Sequence, residues 1–197
     1  MEIRQATIDD CRSIAELALI AGDGIPAWFW EQDRKNGQQL LDVGMQNLKS
    51  ESENFSYRNV HVAEVENSVA GMILAYRLPD KDKADNIESY PEFIRSAIEL
   101  EQCVPGSFYI NMLATYPKYR NISIGTSLMG IIDDLAEQAD SDLISVQVFE
   151  QNLRAVRLYK RLGYEVVETR PVVEHVSHPY NTNILLLTRE RAKWSVL

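Results

Sequence analysis

The most constraining feature of this sequence is a strand–loop–helix–strand pattern that runs through residues 107–149. Residues 107–115 (SFYINMLAT) and 143–149 (LISVQVF) are apolar at both alternating sets of positions, as strands covered on both faces are. Between them, the stretch 124–139 repeats apolar residues at helical spacing. Because such a unit closes by a right-handed crossover, its two strands are predicted to be parallel. The sequence therefore predicts an α/β fold with a mixed, partly parallel central sheet flanked by helices.

The elements outside this unit are predicted from the same periodicities and from capping and turn residues. Thr7 is a good helix N-cap with Asp10 three residues later, and Glu66-Asn67 is a turn between two alternating stretches. Gly163 stands where glycine commonly ends a helix. The predicted strands cover 2–6, 60–65, 69–76, 164–169 and 184–188, and the predicted helices cover 8–21, 30–49 and 152–162.

Residues 78–106 interrupt the regular pattern with a polar, acidic segment. Between positions 78 and 105 it carries seven acidic and three basic side chains, together with three prolines. A helix over 90–101 is predicted inside it. We interpret the segment as a variable insertion between two strands of a single domain that spans residues 1–197.

Net charge and cysteine content exclude several classes of protein. The formal net charge is −9, which disfavours binding to a nucleic-acid backbone and suits a cationic partner such as an amine, although such acidity also serves solubility alone. Cys11 and Cys103 form neither a disulfide framework nor a zinc motif, so a reducing compartment and no metal are expected. The charged start lacks a signal peptide, and no apolar run reaches the roughly 18–20 residues of a membrane span. A cytoplasmic protein is predicted.

The loop after the strand 107–115 has the chemistry of an anion site. The sequence YRNISIGTSLM leads directly into the helix, whose first backbone N–H groups lack acceptors and carry partial positive charge. Gly125 permits close approach of the backbone, and Arg120 adds a charged donor. Asn121 and Ser123 stand where such loops usually carry glycine, but Asn tolerates the left-handed conformation and Ser is small. An ordinary loop without a ligand is the alternative.

Two sequence motifs together carry a resemblance to a known family. LATYPKYRNISIGTSLM resembles the acyl-CoA pyrophosphate motif R/Q-x-x-G-x-G/A of the GNAT superfamily of N-acetyltransferases, with Ser123 and Gly125 at its two glycine positions. Downstream, N-x-x-A-x-x-L-Y-x-x-x-G-Y, from Asn152 to Tyr164, resembles the next helix and strand of that superfamily. The opening IRQATIDD is also similar to its first strand and helix.

The resemblance implies a GNAT-like fold in which the strands 107–115 and 143–149 splay apart and bind acetyl-CoA as the acyl donor. Tyr159 would protonate the leaving thiolate, since a phenol of pKa about 10 can donate to a thiolate whose acid has pKa about 8.5. One cation of the run 154–161 would meet the 3′-phosphate, unless the run is a solvated face. The implied cofactor-binding residues are Leu113, Ala114, Thr115, Arg120, Asn121, Ser123, Ile124, Gly125, Thr126, Asn152, Ala155 and Tyr159.

The same resemblance implies transfer of the acetyl group to a primary amine by direct attack. The acceptor is left open between a small amine, an amino acid and a protein amine. A free amine must lose a proton, for which Glu64 as base and Asn111 as the holder of a water are the candidates. Two rivals remain: a transferase for longer acyl-CoA, and a degenerate domain that binds CoA or a protein partner without transferase activity.

Three further features are each open to two interpretations. The aromatic run 28–30 either walls an acceptor pocket or belongs to the core. His175 and His178 are interpreted as loop residues and not as metal ligands. The stretch 149–151 near a predicted exposed edge would support a homodimer, which the sequence leaves undecided.

Overall fold

The computed structural model describes residues 1–81, 86–177 and 179–192. The described residues form a sheet of seven strands in the order β1-β2-β3-β4-β5-β7-β6. β4 and β5 are parallel, and the pairs β1–β2, β2–β3, β5–β7 and β6–β7 are antiparallel, so the predicted mixed, partly parallel sheet is confirmed. The strands are β1 Glu2–Gln5, β2 Val60–Val65, β3 Ser68–Arg77, β4 Phe108–Thr115, β5 Leu143–Phe149, β6 Glu165–Pro171 and β7 Asn183–Glu190.

The helices of the described residues follow most of the predicted apolar patterns. Short 3-10 turns at Ile8–Asp10 and Pro117–Tyr119 precede α1 and α5. The helices are α1 Cys11–Ala21, α2 Ile25–Asp33, α3 Leu40–Leu48, α4 Glu92–Gln102, α5 Ile124–Met129, α6 Ile132–Gln138 and α7 Leu153–Arg161. None of the described helices has the length and apolar character that a membrane crossing needs.

Two helix predictions were wrong because each missed an interruption. Instead of one helix over 30–49 there are α2 and α3, since the chain turns at Gly37, where φ is +81°. Pro26 lies in the first turn of α2, which therefore starts earlier than predicted. The helix predicted over 124–139 is divided into α5 and α6. At the break, the Gly130 N–H donates to the carbonyls of both Thr126 and Ser127, at 3.1 and 3.0 Å, which tightens and ends the turn.

The chain divides into two compact units, and each is assembled from separate stretches. The first comprises Met1–Ala75, Asn111–Gly130 and Val176–Pro179. It contains β1, β2, α1, α2, α3 and α5, the greater part of β3, and the end of β4. The second comprises Tyr76–Ile110, Ile131–His175 and Tyr180–Leu197. Two of the boundaries fall inside strands, between Ala75 and Tyr76 in β3 and between Ile110 and Asn111 in β4, so sequence alone does not mark them. A single functional domain stays a prediction.

The first unit is built on the predicted hairpin and on the capped first helix. Glu66 and Asn67, with φ of +50° and +58°, form the tight turn between β2 and β3. The Asp10 carboxylate accepts from the Thr7 N–H at 2.8 Å and from the Thr7 hydroxyl at 3.0 Å, so Asp10 holds the residue that precedes the first turn. Trp30 is only 2% exposed, so it is a core residue and not part of a pocket wall.

The second unit shows what the predicted insertion contributes to the structure. Residues 82–85, with two of the counted acids, lie outside the described residues. The helix predicted there is α4, whose Leu100 packs in a buried cluster with Tyr109 of β4 and Leu186 of β7. Gln147 of β5 donates its side-chain N–H to the Ala97 carbonyl of α4 at 2.9 Å. The segment is therefore a structural cover of this unit, not a linker.

Candidate active site

The loop that leaves β4 begins at Tyr116, whose N–H donates to the carbonyl of Ala70 on β3 at 3.0 Å. A 3-10 turn at Pro117–Tyr119 follows, closed by a 2.9 Å hydrogen bond from the Tyr119 N–H to the Tyr116 carbonyl. Proline suits the first position of the turn because its ring fixes φ and it has no N–H to satisfy. The turn leads the chain to Arg120, the first residue of the predicted phosphate motif.

Two residues of this loop have a backbone conformation that glycine adopts most easily. Asn121 and Ser123 both have φ of +66°, in the left-handed region. Asn enters that region readily, whereas for Ser it costs about 1 kcal/mol. Both positions therefore keep the backbone that glycine would provide, although their side chains differ from it.

The backbone amides that follow are available to an external acceptor. Ile124 and Gly125 open α5, so their N–H groups have no acceptor within the helix. In the part of the chain that the structure describes, the N–H groups of Ile122 and Ser123 have no acceptor either. The Ser127 N–H, in contrast, donates to the Ser123 carbonyl at 3.0 Å. Four consecutive amides and the positive end of a helix favour an anion at this place.

Arg120 adds a positive charge to the loop. It is exposed and makes no ion pair within the described residues. Eight other arginines are paired with carboxylates: Arg4, Arg12, Arg34, Arg58, Arg77, Arg170, Arg189 and Arg191. Since the chain carries a net charge of −9, a guanidinium without a carboxylate partner is a favourable group for an anionic ligand. Thr126, in the first turn of α5, is exposed on the same segment.

The end of β4 depends on a close backbone approach that sequence reasoning missed. Leu113, Ala114 and Thr115 are the last residues of β4, and Ala114 is buried. A Cβ on Gly71 of β3 would lie 2.7 Å from the Ala114 carbonyl oxygen and 3.0 Å from Ile124 Cγ2. Only glycine therefore allows β3 to lie this close to the end of β4 and the start of α5. The available signal was a glycine inside a strand pattern.

The two candidates for the proton-accepting step have different surroundings. Asn111 lies half-buried in β4. Glu64 lies in β2, where its carboxylate accepts from Arg4 Nε at 2.8 Å. Arg4 also binds both carboxylate oxygens of Asp10, at 2.8 and 3.0 Å, and holds the pKa of that carboxyl below its usual value. Because Glu64 is bound in this network, it would have to leave an ion pair to accept a proton.

Helix α7 holds the second group of predicted residues. Asn152 caps it, because its Oδ1 accepts from the Ala155 N–H at 3.3 Å. Tyr159 lies two turns further on and is only 5% exposed. Burial raises the pKa of the Tyr159 phenol, with a smaller contribution from Tyr164, so it stays protonated at neutral pH. Its hydroxyl has no hydrogen-bond partner among the described residues.

A buried cluster behind Tyr159 was not predicted from the sequence. The Tyr164 ring packs edge-on against Tyr159, with ring centroids 5.8 Å apart. The Arg189 guanidinium carbon lies 5.2 Å from the Tyr164 ring centroid, and Arg189 Nη2 donates to Asp133 at 2.8 Å. Burial raises the pKa of Tyr164 to about 12, against the opposing charge of Arg189. The Tyr164 hydroxyl is buried without a hydrogen-bond partner in the described chain.

The remaining candidates lie apart from these groups or outside the described residues. His175 stacks on Phe93 of α4 at 4.0 Å between ring centroids, and His178 lies outside the described residues. At the predicted exposed edge 149–151, Phe149 pairs with Ile184 of β7 and the Glu150 N–H donates to the Asn183 carbonyl at 2.9 Å, while the register of β5 with β4 ends at Val146. A homodimer through this stretch stays a prediction. The four cations of the basic run are all exposed: Arg154, Arg157, Lys160 and Arg161.

The first unit thus brings together the end of β4, the loop and the start of α5, and the second unit brings together Asn152, Ala155 and Tyr159 on α7. Within the described residues, no group of three or more His, Cys, Asp or Glu side chains is placed to hold a metal ion. Cys11 is buried and Cys103 exposed, and both are free thiols.

A mixed sheet with one parallel pair, a loop with unbonded backbone amides after β4 and a tyrosine-bearing helix after β5 are the features that the resemblance to acetyltransferases implies. The sequence model described as the acetyltransferase (GNAT) family matches residues 24–164, well over half of the chain. The chain belongs to the GNAT acetyltransferase family, and the resemblance seen in the sequence is confirmed.

Solved structures agree on the fold. An acetyltransferase crystal structure has 19% identity and a TM-score of 0.69, with 98% of this chain and 100% of that chain covered. An N-acetyltransferase from Staphylococcus aureus Mu50 has 22% identity and a TM-score of 0.63, with 96% and 100% covered. The Salmonella typhimurium protein yncA, solved with its cofactor acetyl-CoA, has 15% identity and a TM-score of 0.58, with 100% and 97% covered.

Proposed function

We propose that this protein is an N-acetyltransferase that moves the acetyl group of acetyl-CoA to a primary amine. The observation that carries the proposal is the backbone of the loop, where Asn121 and Ser123 keep left-handed φ and the amides of residues 122–125 have no acceptor in the described chain. A diphosphate offers the acceptor oxygens and negative charge that these amides suit. Membership in the GNAT family supports the same ligand.

The loop and the strand end would bind the donor in two ways. The amides of Ile122 to Gly125 would donate to the pyrophosphate oxygens, with Arg120 as a charged partner and Asn121 and Thr126 beside them. The backbone of Leu113, Ala114 and Thr115 would pair with the amides of the pantetheine arm. Asn152 and Ala155 of α7 are further candidates for cofactor contacts, as the family resemblance implies. These contacts are sequence-tolerant because most of them use backbone atoms.

The transfer would proceed by direct attack, without a covalent enzyme intermediate. The amine nitrogen attacks the thioester carbonyl carbon, the C–N bond forms, and the C–S bond breaks to release the thiolate. Tyr159 is protonated at neutral pH and would donate to that sulfur. Because burial raises its pKa, a strong hydrogen bond to the thiolate is expected to contribute more than complete proton transfer.

The attacking amine must also lose a proton, since a free amine of pKa about 10.4 is mostly protonated at neutral pH. We favour Asn111 as the holder of a water that relays this proton to bulk solvent. Glu64, the other candidate, is bound by Arg4 at 2.8 Å and would first have to leave that pair. The acceptor is a small-molecule or protein amine, and the two free cysteines support a reducing, cytoplasmic setting.

Thermal unfolding with and without acetyl-CoA tests the proposal. At about 100 times its dissociation constant, the ligand should stabilise the wild type by roughly 2.7 kcal/mol, visible as a higher melting temperature. Gly125→Glu should abolish the shift, because it places a carboxylate among the free amides. Gly130→Glu is the matched control, since it adds the same charge at the other end of α5, at an exposed residue.

Other outcomes would favour one of the two alternative functions. A shift with octanoyl-CoA but not with acetyl-CoA would indicate a transferase for longer acyl groups. No shift with either compound would favour a degenerate domain that works through a protein partner. If acetyl-CoA binds, thiol release with a panel of amines then identifies the acceptor.

A further inference from the structure

A long-range hydrogen bond connects the first residue of the loop to the first helix. Tyr116 Oη donates to Glu16 Oε2 of α1 at 2.7 Å, across 100 residues of sequence, and lies 3.3 Å from the Ser13 carbonyl. Both side chains belong to the first unit and are half-buried. Tyr116 is thus fixed at two points, since its backbone N–H is bonded to Ala70 of β3 at 3.0 Å.

The charges around the Tyr116–Glu16 hydrogen bond favour its persistence at neutral pH. Burial, and next the Glu16 carboxylate, raise the pKa of Tyr116 to about 12, so the phenol remains a donor at neutral pH. Arg12 Nε lies 3.3 Å from the other oxygen of Glu16, Oε1. The carboxylate therefore has one oxygen for each partner, and neither competes with the other.

Little packing supports the loop on the side of this hydrogen bond. A polar cavity of about 500 Å³ lies there, with Glu16, Tyr116 and Lys118 in its wall. The cavity wall also includes Arg4, Asp10, Ser13, Glu64, Asn67, Ser68 and Val69. Where close packing is absent, a charged hydrogen bond has a larger share in fixing the position of a segment.

We propose that Glu16 and Tyr116 position the loop of residues 117–123, and thereby the unbonded amides of residues 122–125, for an anionic ligand. Only the identity of that ligand, acetyl-CoA, rests on the proposed function. Tyr116 is a positioning residue in this scheme, because it acts through the backbone that it anchors. Loss of the bond frees the loop to move into the adjacent cavity and misaligns the amides of residues 122–125.

Hydrogen–deuterium exchange of the ligand-free protein tests the positioning directly. Tyr116→Phe and Glu16→Ala should each speed exchange of the hydrogen-bonded amides of Tyr116, Tyr119 and Arg120 by about tenfold, while Glu16→Gln, which keeps an acceptor oxygen, should leave their exchange slow. Tyr119→Phe is the matched control, since it removes a hydroxyl from the same turn that has no hydrogen-bond partner in the described chain. Unchanged exchange in both Tyr116→Phe and Glu16→Ala would overturn the proposal.

Titration with acetyl-CoA supplies the functional readout. Tyr116→Phe and Glu16→Ala should each weaken binding by about tenfold, and the double variant should be no weaker than either single one. At saturating acetyl-CoA the turnover rate should match the wild type. Faster exchange with unchanged affinity would contradict the positioning role. If the wild type itself does not bind acetyl-CoA, the proposed function fails, while the exchange result still decides whether Glu16 and Tyr116 hold the loop.

Discussion

In the proposed site, the loop around Ser123 would bind its ligand through backbone amides, whereas α7 would act through side chains. The loop is exposed at residues 120–123, and its defining property is a pair of φ angles of +66°. α7 is defined by a capping amide at Asn152 and by a phenol at Tyr159 that is 5% exposed. The loop can therefore change its side chains and keep its chemistry, but α7 cannot.

This difference explains where the family pattern is kept and where it is not. The α7 motif is present at each of its positions, from Asn152 to Tyr164, whereas the loop lacks the first glycine of its motif and carries Ser123 there. A backbone site tolerates any residue that can reach the required φ at a modest free-energy cost. The comparison predicts that substitutions on α7 change the chemistry, and that substitutions in the loop change stability and affinity.

The largest effect is expected for Tyr159→Phe. Removing the donor to the leaving sulfur should lower kcat by about 10²-fold, with the acetyl-CoA dissociation constant changed by less than about twofold. Steady-state thiol release and equilibrium binding measure the two quantities. Tyr164→Phe is the control, since it removes a neighbouring hydroxyl from the same cluster. A Tyr159→Phe enzyme with wild-type kcat would show that α7 does not supply the chemistry.

Gly71→Ala is expected to have the next largest effect, because it displaces the backbone of a strand. Its Cβ would meet the Ala114 carbonyl oxygen at 2.7 Å, so β3 or β4 must shift, at a cost of about 1–3 kcal/mol in unfolding free energy. The unfolding free energy measured in urea and the affinity for acetyl-CoA should both decrease. Gly37→Ala is the control, because a Cβ added there would have no atom of the described residues within 4 Å, and only the positive φ is strained. Equal stability losses in the two variants would refute the steric argument.

Ser123 allows the backbone argument to be tested in both directions. Ser123→Val should destabilise by about 1–2 kcal/mol, because a β-branched residue resists the left-handed region. Ser123→Gly should leave stability within about 0.5 kcal/mol, since relief of strain is offset by the entropy of the unfolded chain. Acetyl-CoA affinity should follow the same order, measured by calorimetry. Weaker binding by Ser123→Gly than by wild type would mean that the hydroxyl itself contacts the ligand.

A small gain in stability is expected for Tyr164→Phe. The Tyr164 hydroxyl is buried without a partner in the described chain, so its removal should raise the unfolding free energy by about 1 kcal/mol. The ring contact with Arg189 is retained in phenylalanine. A loss of stability in urea unfolding would show that this hydroxyl has a partner in the folded protein.

The sequence allowed the sheet, the crossover and the α7 motif to be predicted, because each depends on local periodicity or on named side chains. The helix break at Gly37 was also encoded, since Asn36-Gly37 is a turn signal, but apolar spacing was given more weight. The break at Gly130 was not readable, because one glycine costs a helix only about 1 kcal/mol. The contact of Glu16 with Tyr116 spans 100 residues and leaves no local pattern.

The far edge of the sheet has a consequence for how copies of this protein behave at high concentration. β6 pairs with β7 alone in the described part of the chain, and its register shifts between Val166 and Glu168. An irregular edge that ends in Pro171 and carries Glu168 and Arg170 is a poor template for a strand of another molecule. Val166 and Val167 are 41% and 53% exposed, and Val167 lies at the register shift, without a partner in the β6–β7 register, while Val166 pairs with Leu187. Association of copies through this edge is therefore expected to be disfavoured.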